Sequence, residues 1–309
     1  MVAALVAALL LGGCATAPPP KPVAAPRRAP ISHPLPVVPN AASPRHAPSS
    51  LADGIDAYLS QPRFAHAQWG VDVVSLESGA TLYRRNADSL FLPASNAKLY
   101  TAALALQALG ADARFSTTLY ATAAPRADGT LAGDLILYGG GDPSLGDPGV
   151  SPDWADRLAA ALAGRGVKRV RGDLVADDTY FAGPPFGDGW EALDLQTDYG
   201  AQSGALGVQD NVVRVKVARE GSRCCTLAID PSHSGMRVAN LTGSAAPLSL
   251  YRPPGSDVLY ASGSLRTDVP QRTFTRSVPD GALFAANRLR QALAQRGIAL
   301  HGRVRAVHW

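Results

Sequence analysis

The sequence predicts an α+β protein, and three observations carry that prediction. A strand–turn–strand pattern, Trp69–Ser75 then Ala80–Arg84, runs into an Ala- and Leu-rich helix that stops at Gly110. Roughly 160 residues of short apolar runs, broken by Gly, Asp and Pro, come next. A second long helix pattern, Ala282–Arg296, then precedes a strand candidate near Val304. The 30 glycines and 25 prolines suit turns and short strands better than a helical bundle. A length of 309 residues with 46% hydrophobic side chains supports a real core and about two domains.

Leu51–Leu59 reads as an amphipathic helix, with Leu51, Ile55 and Leu59 four apart. Glu77-Ser78-Gly79 supplies the turn of the hairpin, and a loop through Asn86-Ala87-Asp88 leads to Phe91-Leu92-Pro93. From Pro93 to Leu109 the chain has proline near the start and glycine just past the end, the asymmetry of a helix. Its apolar residues lie on nearly all sides, which predicts burial. Ser95 and Lys98 are the polar exceptions near its N-terminus. Beyond Gly110 the strand candidates are Phe115–Ala121, Leu131–Tyr138, Arg169–Ala176, Val212–Val217 and Arg237–Leu241, with one helix, Trp154–Leu162, among them.

The first fifty residues read as targeting and tether. Val2–Leu11 is apolar and ends in Leu11-Gly12-Gly13-Cys14, too short to cross a bilayer, which takes roughly 20 apolar residues. It fits the apolar core of a secretory signal over residues 1–14. The Leu-x-Gly-Cys ending resembles a bacterial lipobox and implies lipidation of Cys14; the basic residues usual at the start of a signal are missing before Lys21. A hydrophobic N-terminus with a chance cysteine is the alternative. Residues 15–50 form a tether, with 11 prolines between Pro18 and Ser50 and almost no apolar periodicity. Anchor, spacer and folded body together lead us to expect a periplasmic protein, lipid-anchored to a bacterial membrane, with the outer membrane favoured.

The net charge of +4 sits in that tail. Lys21, Arg27, Arg28 and Arg45 meet no acid there, so the body is neutral, with 25 basic and 25 acidic residues. A neutral body with a basic tail does not suit nucleic-acid binding. Cys224 and Cys225 are adjacent, a spacing that rarely reaches disulfide geometry, and we expect two buried small hydrophobes. No His stands at ligand spacing from them and no His-Glu-x-x-His occurs, so neither metal nor cofactor is expected. The six histidines lack a recognisable catalytic context, and no Gly-x-Ser-x-Gly elbow is present.

The chemistry-bearing pattern is Ser95-Asn96-Ala97-Lys98. Three residues apart on a helix, the hydroxyl and the amine share a face. A serine is a weak nucleophile until a base takes its proton, and a lysine whose pKa is lowered by burial can be that base. In the first turn, Ser95 would also have the helix dipole and its own backbone N–H on hand for developing negative charge. Taken alone, Ser-x-x-Lys favours an ordinary helix-start serine beside a snorkelling lysine. The preceding hairpin and the Ala/Leu helix tip that balance towards the nucleophile.

Leu90-Phe91-Leu92-Pro93-Ala94-Ser95-Asn96-Ala97-Lys98-Leu99-Tyr100-Thr101-Ala102-Ala103 resembles the active-site helix of the low-molecular-mass class C penicillin-binding proteins. Further segments resemble that family in the same order: Gly139-Gly140-Gly141-Asp142-Pro143-Ser144-Leu145, Gly172–Phe181, Gly189-Trp190, Asp194-Leu195-Gln196, Tyr199-Gly200-Ala201, Ser203–Leu206 and Val278-Pro279-Asp280. The resemblance runs from about Gly70 to Val304. It implies a transpeptidase-like (β-lactamase-like) catalytic domain beginning at 51–110, a β-rich inserted domain over 111–277, and a return toward the catalytic domain over 278–309. It also implies a D-alanyl-D-alanine carboxypeptidase/endopeptidase that acylates Ser95, with Lys98 as base and peptidoglycan peptides and β-lactams as partners. Asp194 and Tyr199 would stand near the side chain of the substrate's third residue, although Asp194 fits a loop-capping acid as well.

Family members carry a Ser-x-Asn triplet and a Lys-Thr-Gly strand after the inserted domain. None of the six asparagines or four lysines here stands in either motif. Both follow, in relatives, the helix that is Ala282–Arg296 here, so the resemblance implies a truncated, incomplete catalytic domain. Release of D-alanine by these residues alone is therefore not expected. The alternative is a non-catalytic, lipid-anchored peptidoglycan-binding protein. A β-lactamase would share Ser-x-x-Lys, but the long β-rich segment after the helix argues against it.

Overall fold

A computed structural model describes residues 50–220 and 223–309. The expected signal, Cys14 and nearly all of the tether lie outside the described residues. The chain divides into two compact units, Met1–Ala102 and Ala103–Trp309. Among the described residues no helix is long and apolar enough to cross a membrane.

In the first unit, α1 (Ser50–Leu59) is followed by the antiparallel hairpin β1 (Val71–Val74) and β2 (Thr81–Arg85). The hairpin turn has Gly79 at φ +71, a backbone state that favours glycine. Tyr83 is buried, and its hydroxyl donates to the Asp56 carboxylate of α1, tying helix to hairpin. Burial, with Asp56 beside it, pushes the Tyr83 phenol above its ordinary value. Gly70 is glycine for a packing reason: a Cβ there would stand 2.4 Å from the Phe91 ring.

The expected helix after Pro93 begins with a single 3-10 turn, Ala94–Asn96, and continues as α2 (Ala97–Leu109). The expectation that this helix is buried fails. No residue of α2 is buried, and Tyr100 (78%), Leu99 (71%) and Leu104 (65%) are largely exposed. A helix apolar on all sides is buried only if neighbours cover all sides, and the described residues do not supply that cover.

The second unit has an α/β half and a β half. In the first, β3 (Thr117–Ala121), β5 (Leu135–Gly139), β7 (Leu174–Asp178) and β15 (Val304–His308) form one sheet in the order β15-β7-β5-β3. The three strands β5, β7 and β15 run parallel, and β3 is the antiparallel edge. The short strands β4 (Thr130–Leu131), β6 (Arg169–Val170) and β14 (Ala299–Leu300) make a second, parallel ladder. Helices α3 (Trp154–Gly164) and α4 (Gly281–Gln295) pack on each other, and α4 also lies on β7 and β15. They bury Trp154, Ala155 and Ala159 from α3 and Phe284, Leu289 and Leu293 from α4 against Leu135, Leu137 and Leu174. Residues 278–309 complete this half: β15 pairs with β7 over five residues. Parallel strands need a crossover, which α4 provides.

The β half holds two three-stranded sheets. β8 (Val212–Glu220), β9 (Arg223–Asp230) and β13 (Gln271–Ser277) pair antiparallel, and β8 alternates buried Val213, Val215 and Val217 with exposed Arg214 and Lys216. β10 (Arg237–Pro247), β11 (Ser249–Tyr251) and β12 (Val258–Ser264) form the other. Cys225 is buried in the core, and Cys224, half-buried, packs against it. Among the described residues no group of three or more His, Cys, Asp or Glu side chains is arranged to hold a metal ion.

His308 links three elements of this unit. Its Nδ1 lies 3.3 Å from Asp178 Oδ2 at the end of β7, and its Nε2 lies 3.2 Å from Asp280 Oδ2. Asp280 also caps α4, where its Oδ1 accepts the Leu283 N–H at 2.9 Å. Burial alone would lower the imidazole pKa, but Asp280 and Asp178 outweigh it and raise the value above the usual 6.5. A raised folded-state pKa stabilises below the unfolded value, and that contribution is lost as pH rises through the folded-state value. We therefore expect His308→Asn to lower the melting temperature more at pH 6 than at pH 8.5. A gap that is the same at both pH values would contradict this.

Candidate active site

Ser95 stands in the 3-10 turn that opens α2, directly after Ala94, whose φ of +44 lies in the left-handed region that a non-glycine residue rarely adopts. Lys98 is in the first turn of α2 proper. Its Nζ donates to Ser95 Oγ at 3.0 Å, so the spacing read from the sequence becomes direct contact. In this geometry an ammonium donates to the hydroxyl; after losing one proton, the same nitrogen has a lone pair aimed at the hydroxyl hydrogen. Both residues are exposed, where the sequence led us to expect Lys98 inside an apolar helix. The reason is that of α2 as a whole: the apolar residues around Lys98 are themselves uncovered.

Asp194 and Tyr199 are brought together within the second unit. Asp194 opens a 3-10 turn, Asp194–Gln196, and its Oδ1 accepts the Tyr199 hydroxyl at 2.8 Å. The hydrogen bond to that carboxylate pushes the Tyr199 phenol above its ordinary value. The capping role is present too, since Asp194 Oδ2 accepts the Glu191 N–H at 3.2 Å. Trp190 completes the group: its ring stacks on Tyr199 at 6.2 Å and 26°. Sequence reasoning noted Gly189-Trp190 only as a matching segment; the ring nine residues before Tyr199 was the available signal. Both rings are exposed.

Other resembling segments are structural. At the end of β5 a Cβ on Gly139 would stand 2.3 Å from the Ala205 carbonyl, and one on Gly140 would stand 2.4 Å from that of Ser116. Asp142 Oδ1 accepts both the backbone N–H and the hydroxyl of Ser144, an Asx-type turn. Asp178 Oδ1 accepts the Leu206 N–H at 2.7 Å, fastening the segment Ser203–Leu206 to β7.

Comparison with known proteins shows the family. Residues 51–308 match the D-Ala-D-Ala carboxypeptidase 3 (S13) family, and the chain belongs to it. It is 37% identical over 268 residues to a D-alanyl-D-alanine carboxypeptidase of Actinomadura sp. (strain R39), covering 83% of this chain and 49% of that protein. To the D-alanyl-D-alanine carboxypeptidase DacB of Haemophilus influenzae it is 32% identical over 126 residues, 41% of this chain and 25% of the relative. The fold is similar to the crystal structure of penicillin binding protein 4 (dacB) from Haemophilus influenzae, with TM-score 0.65 and 23% identity over 77% of this chain and 52% of that one. A second structure of that protein, complexed with a β-lactam, gives a TM-score of 0.58 at 22% identity, over 78% of this chain and 52% of that one. The α+β fold of the described residues is thus similar to that of penicillin binding protein 4. The chain spans about half the length of the Actinomadura relative and of these solved structures.

Proposed function

We propose that this protein is a serine-type D-Ala-D-Ala carboxypeptidase/endopeptidase that acts on peptidoglycan peptides and is acylated by β-lactams. The observation that carries this reading is the 3.0 Å contact between Lys98 Nζ and Ser95 Oγ at the start of α2. Lys98 takes the hydroxyl proton as Ser95 Oγ attacks the carbonyl carbon of the terminal D-Ala-D-Ala bond. The Ser95 N–H at the helix start stabilises the resulting oxyanion. The proton passes to the leaving amine, D-alanine departs, and water then hydrolyses the ester on Ser95. Residues 51–110 supply the first part of the catalytic domain and residues 111–277 the insertion, whose Asp194 and Tyr199 would meet the third residue of the peptide. A lipid on Cys14 and the proline-rich tether would hold the enzyme at a bacterial membrane, within reach of the periplasmic wall. Family membership disfavours the non-catalytic wall-binding alternative.

The test is intact-mass measurement after prolonged exposure to benzylpenicillin, beside a Ser95→Ala control. We expect a gain of one acyl group, located on Ser95 by peptide mapping and missing from the control. The 309 residues hold neither Ser-x-Asn nor Lys-Thr-Gly, so slow acylation with little turnover is the expected form of this activity. No gain at Ser95, or a gain that persists in the control, overturns the reading for these residues.

A further inference from the structure

Arg252 is 3% exposed, yet its guanidinium meets only neutral oxygens. One terminal nitrogen, Nη2, donates to the Leu195 carbonyl at 3.0 Å and to Ser277 Oγ at 2.8 Å. The other, Nη1, donates to the Ser256 carbonyl at 3.2 Å and to that of Pro253 at 3.4 Å, and Nε has no partner. Burial, and the cation of Arg276 nearby, push the Arg252 pKa down. A buried cation without a counter-charge is an expensive core residue, and an apolar side chain of similar volume is often as stable or more so. What the guanidinium adds is direction: a planar fork that grips acceptors from two segments at once.

One of those segments is the turn that begins at Asp194. The Leu195 carbonyl accepts a second hydrogen bond, from Ser277 Oγ at 2.6 Å, and Ser277 is fully buried at the end of β13. The next residue, Gln196, is buried as well, and its Oε1 accepts the Arg252 backbone N–H at 2.9 Å. Two consecutive residues of the turn are therefore held from Arg252 and Ser277, more than fifty positions away in the chain. Asp194 precedes them, with the Tyr199 hydroxyl on its carboxylate and Trp190 stacked on Tyr199.

We propose that Arg252, with Ser277, is the positioning residue of the Asp194–Tyr199 element. By fixing the Leu195 carbonyl, beside a Gln196 side chain held by the Arg252 backbone N–H, they set the geometry in which Asp194 and Tyr199 present themselves to the peptide. The importance of that geometry for the reaction rests on the proposed substrate contact of Asp194 and Tyr199. The hold on the turn does not.

The experiment follows the Tyr199 phenol by NMR through a pH titration, in the protein carrying 13C-labelled tyrosine. In the wild type Tyr199 titrates above an ordinary phenol. Arg252→Met and Ser277→Ala are expected to bring it down toward the value seen in Asp194→Asn. Arg252→Lys, which keeps a cation but loses the fork, should restore it in part. If Arg252 only stabilises the fold, these variants lower the melting temperature and leave the Tyr199 titration unchanged, which overturns the proposal. Should Arg252→Met fail to fold, Ser277→Ala decides alone, since it removes one hydroxyl and leaves the guanidinium in place. The substrate contact is tested separately with two D-Ala-D-Ala-terminated peptides, one with lysine and one with alanine as third residue. Preference for the lysine peptide, read from Trp190 ring shifts, should fall at least fivefold in Asp194→Asn and in Ser277→Ala. An unchanged preference in Asp194→Asn sinks the substrate contact and leaves the hold on the turn standing. A preference lost in Asp194→Asn but kept in Ser277→Ala overturns the positioning role.

Discussion

Lys98→Ala is expected to slow acylation of Ser95 by a β-lactam by about 10²- to 10⁴-fold, the range that a positioned general base contributes. The argument is geometric. Nζ lies 3.0 Å from the Ser95 oxygen, so an unprotonated amine there accepts the hydroxyl proton without rearrangement. Lys98→Arg separates this role from two simpler ones. A guanidinium keeps the positive charge and can still donate to Ser95 Oγ, but it does not give up its proton in a protein. If Lys98 acts only by charge or by holding the hydroxyl, Lys98→Arg retains much of the rate. A base predicts that both variants are slow to a similar degree, measured as the time course of mass gain. Lys98 is exposed, so both substitutions should change stability by no more than about 0.5 kcal/mol, and lost rate cannot be put down to unfolding. Rates within threefold of wild type in Lys98→Ala would end the role of Lys98 as base.

How much of this was legible in the sequence differs by feature. Element type was, where a local pattern carried it: Leu51–Leu59, Trp154–Leu162 and Ala282–Arg296 are α1, α3 and α4 to within two residues at either end. Runs containing a turn were read as one strand. Leu131–Tyr138 is two short strands, β4 and β5, because Gly133 sits where a Cβ would strike Thr122 Oγ1 at 2.2 Å and the chain bends there. Arg169–Ala176 divides in the same way about Gly172, packed on Gly133. The Ser95–Lys98 contact was legible because helical spacing alone places i and i+3 together. Burial of α2 was misread because an apolar surface states what a helix requires and not what the chain provides. The Arg252–Leu195 and Trp190–Tyr199 contacts depend on how distant or irregular segments meet, which no periodicity encodes.

Phe284→Ala is expected to destabilise the second unit by about 3–5 kcal/mol, against the ~5–15 kcal/mol by which ordinary domains are stable. Phe284 is fully buried and sits in the first turn of α4, where its ring stacks on His233 at 6.0 Å. Most of the helix's other buried residues, Gly281, Ala282, Ala285, Ala286 and Ala292, have small side chains or none, and these bury little area. Phe284, Leu289 and Leu293 therefore carry most of its contact with the sheet. Truncating the largest leaves a void that close-packed neighbours fill only in part. The expected readout is a lower urea midpoint with little change in slope, together with faster amide exchange in α4, β7 and β15. Arg290→Ala, on the exposed side of the same helix, should stay within about 0.5 kcal/mol of wild type. A loss below 1 kcal/mol for Phe284→Ala would mean that α4 is not seated on the sheet through this ring. The connection from β13 to β15 would then have to be held by the Asp280–His308 and Asp156–Arg288 pairs, which are partly exposed and by themselves too weak for it.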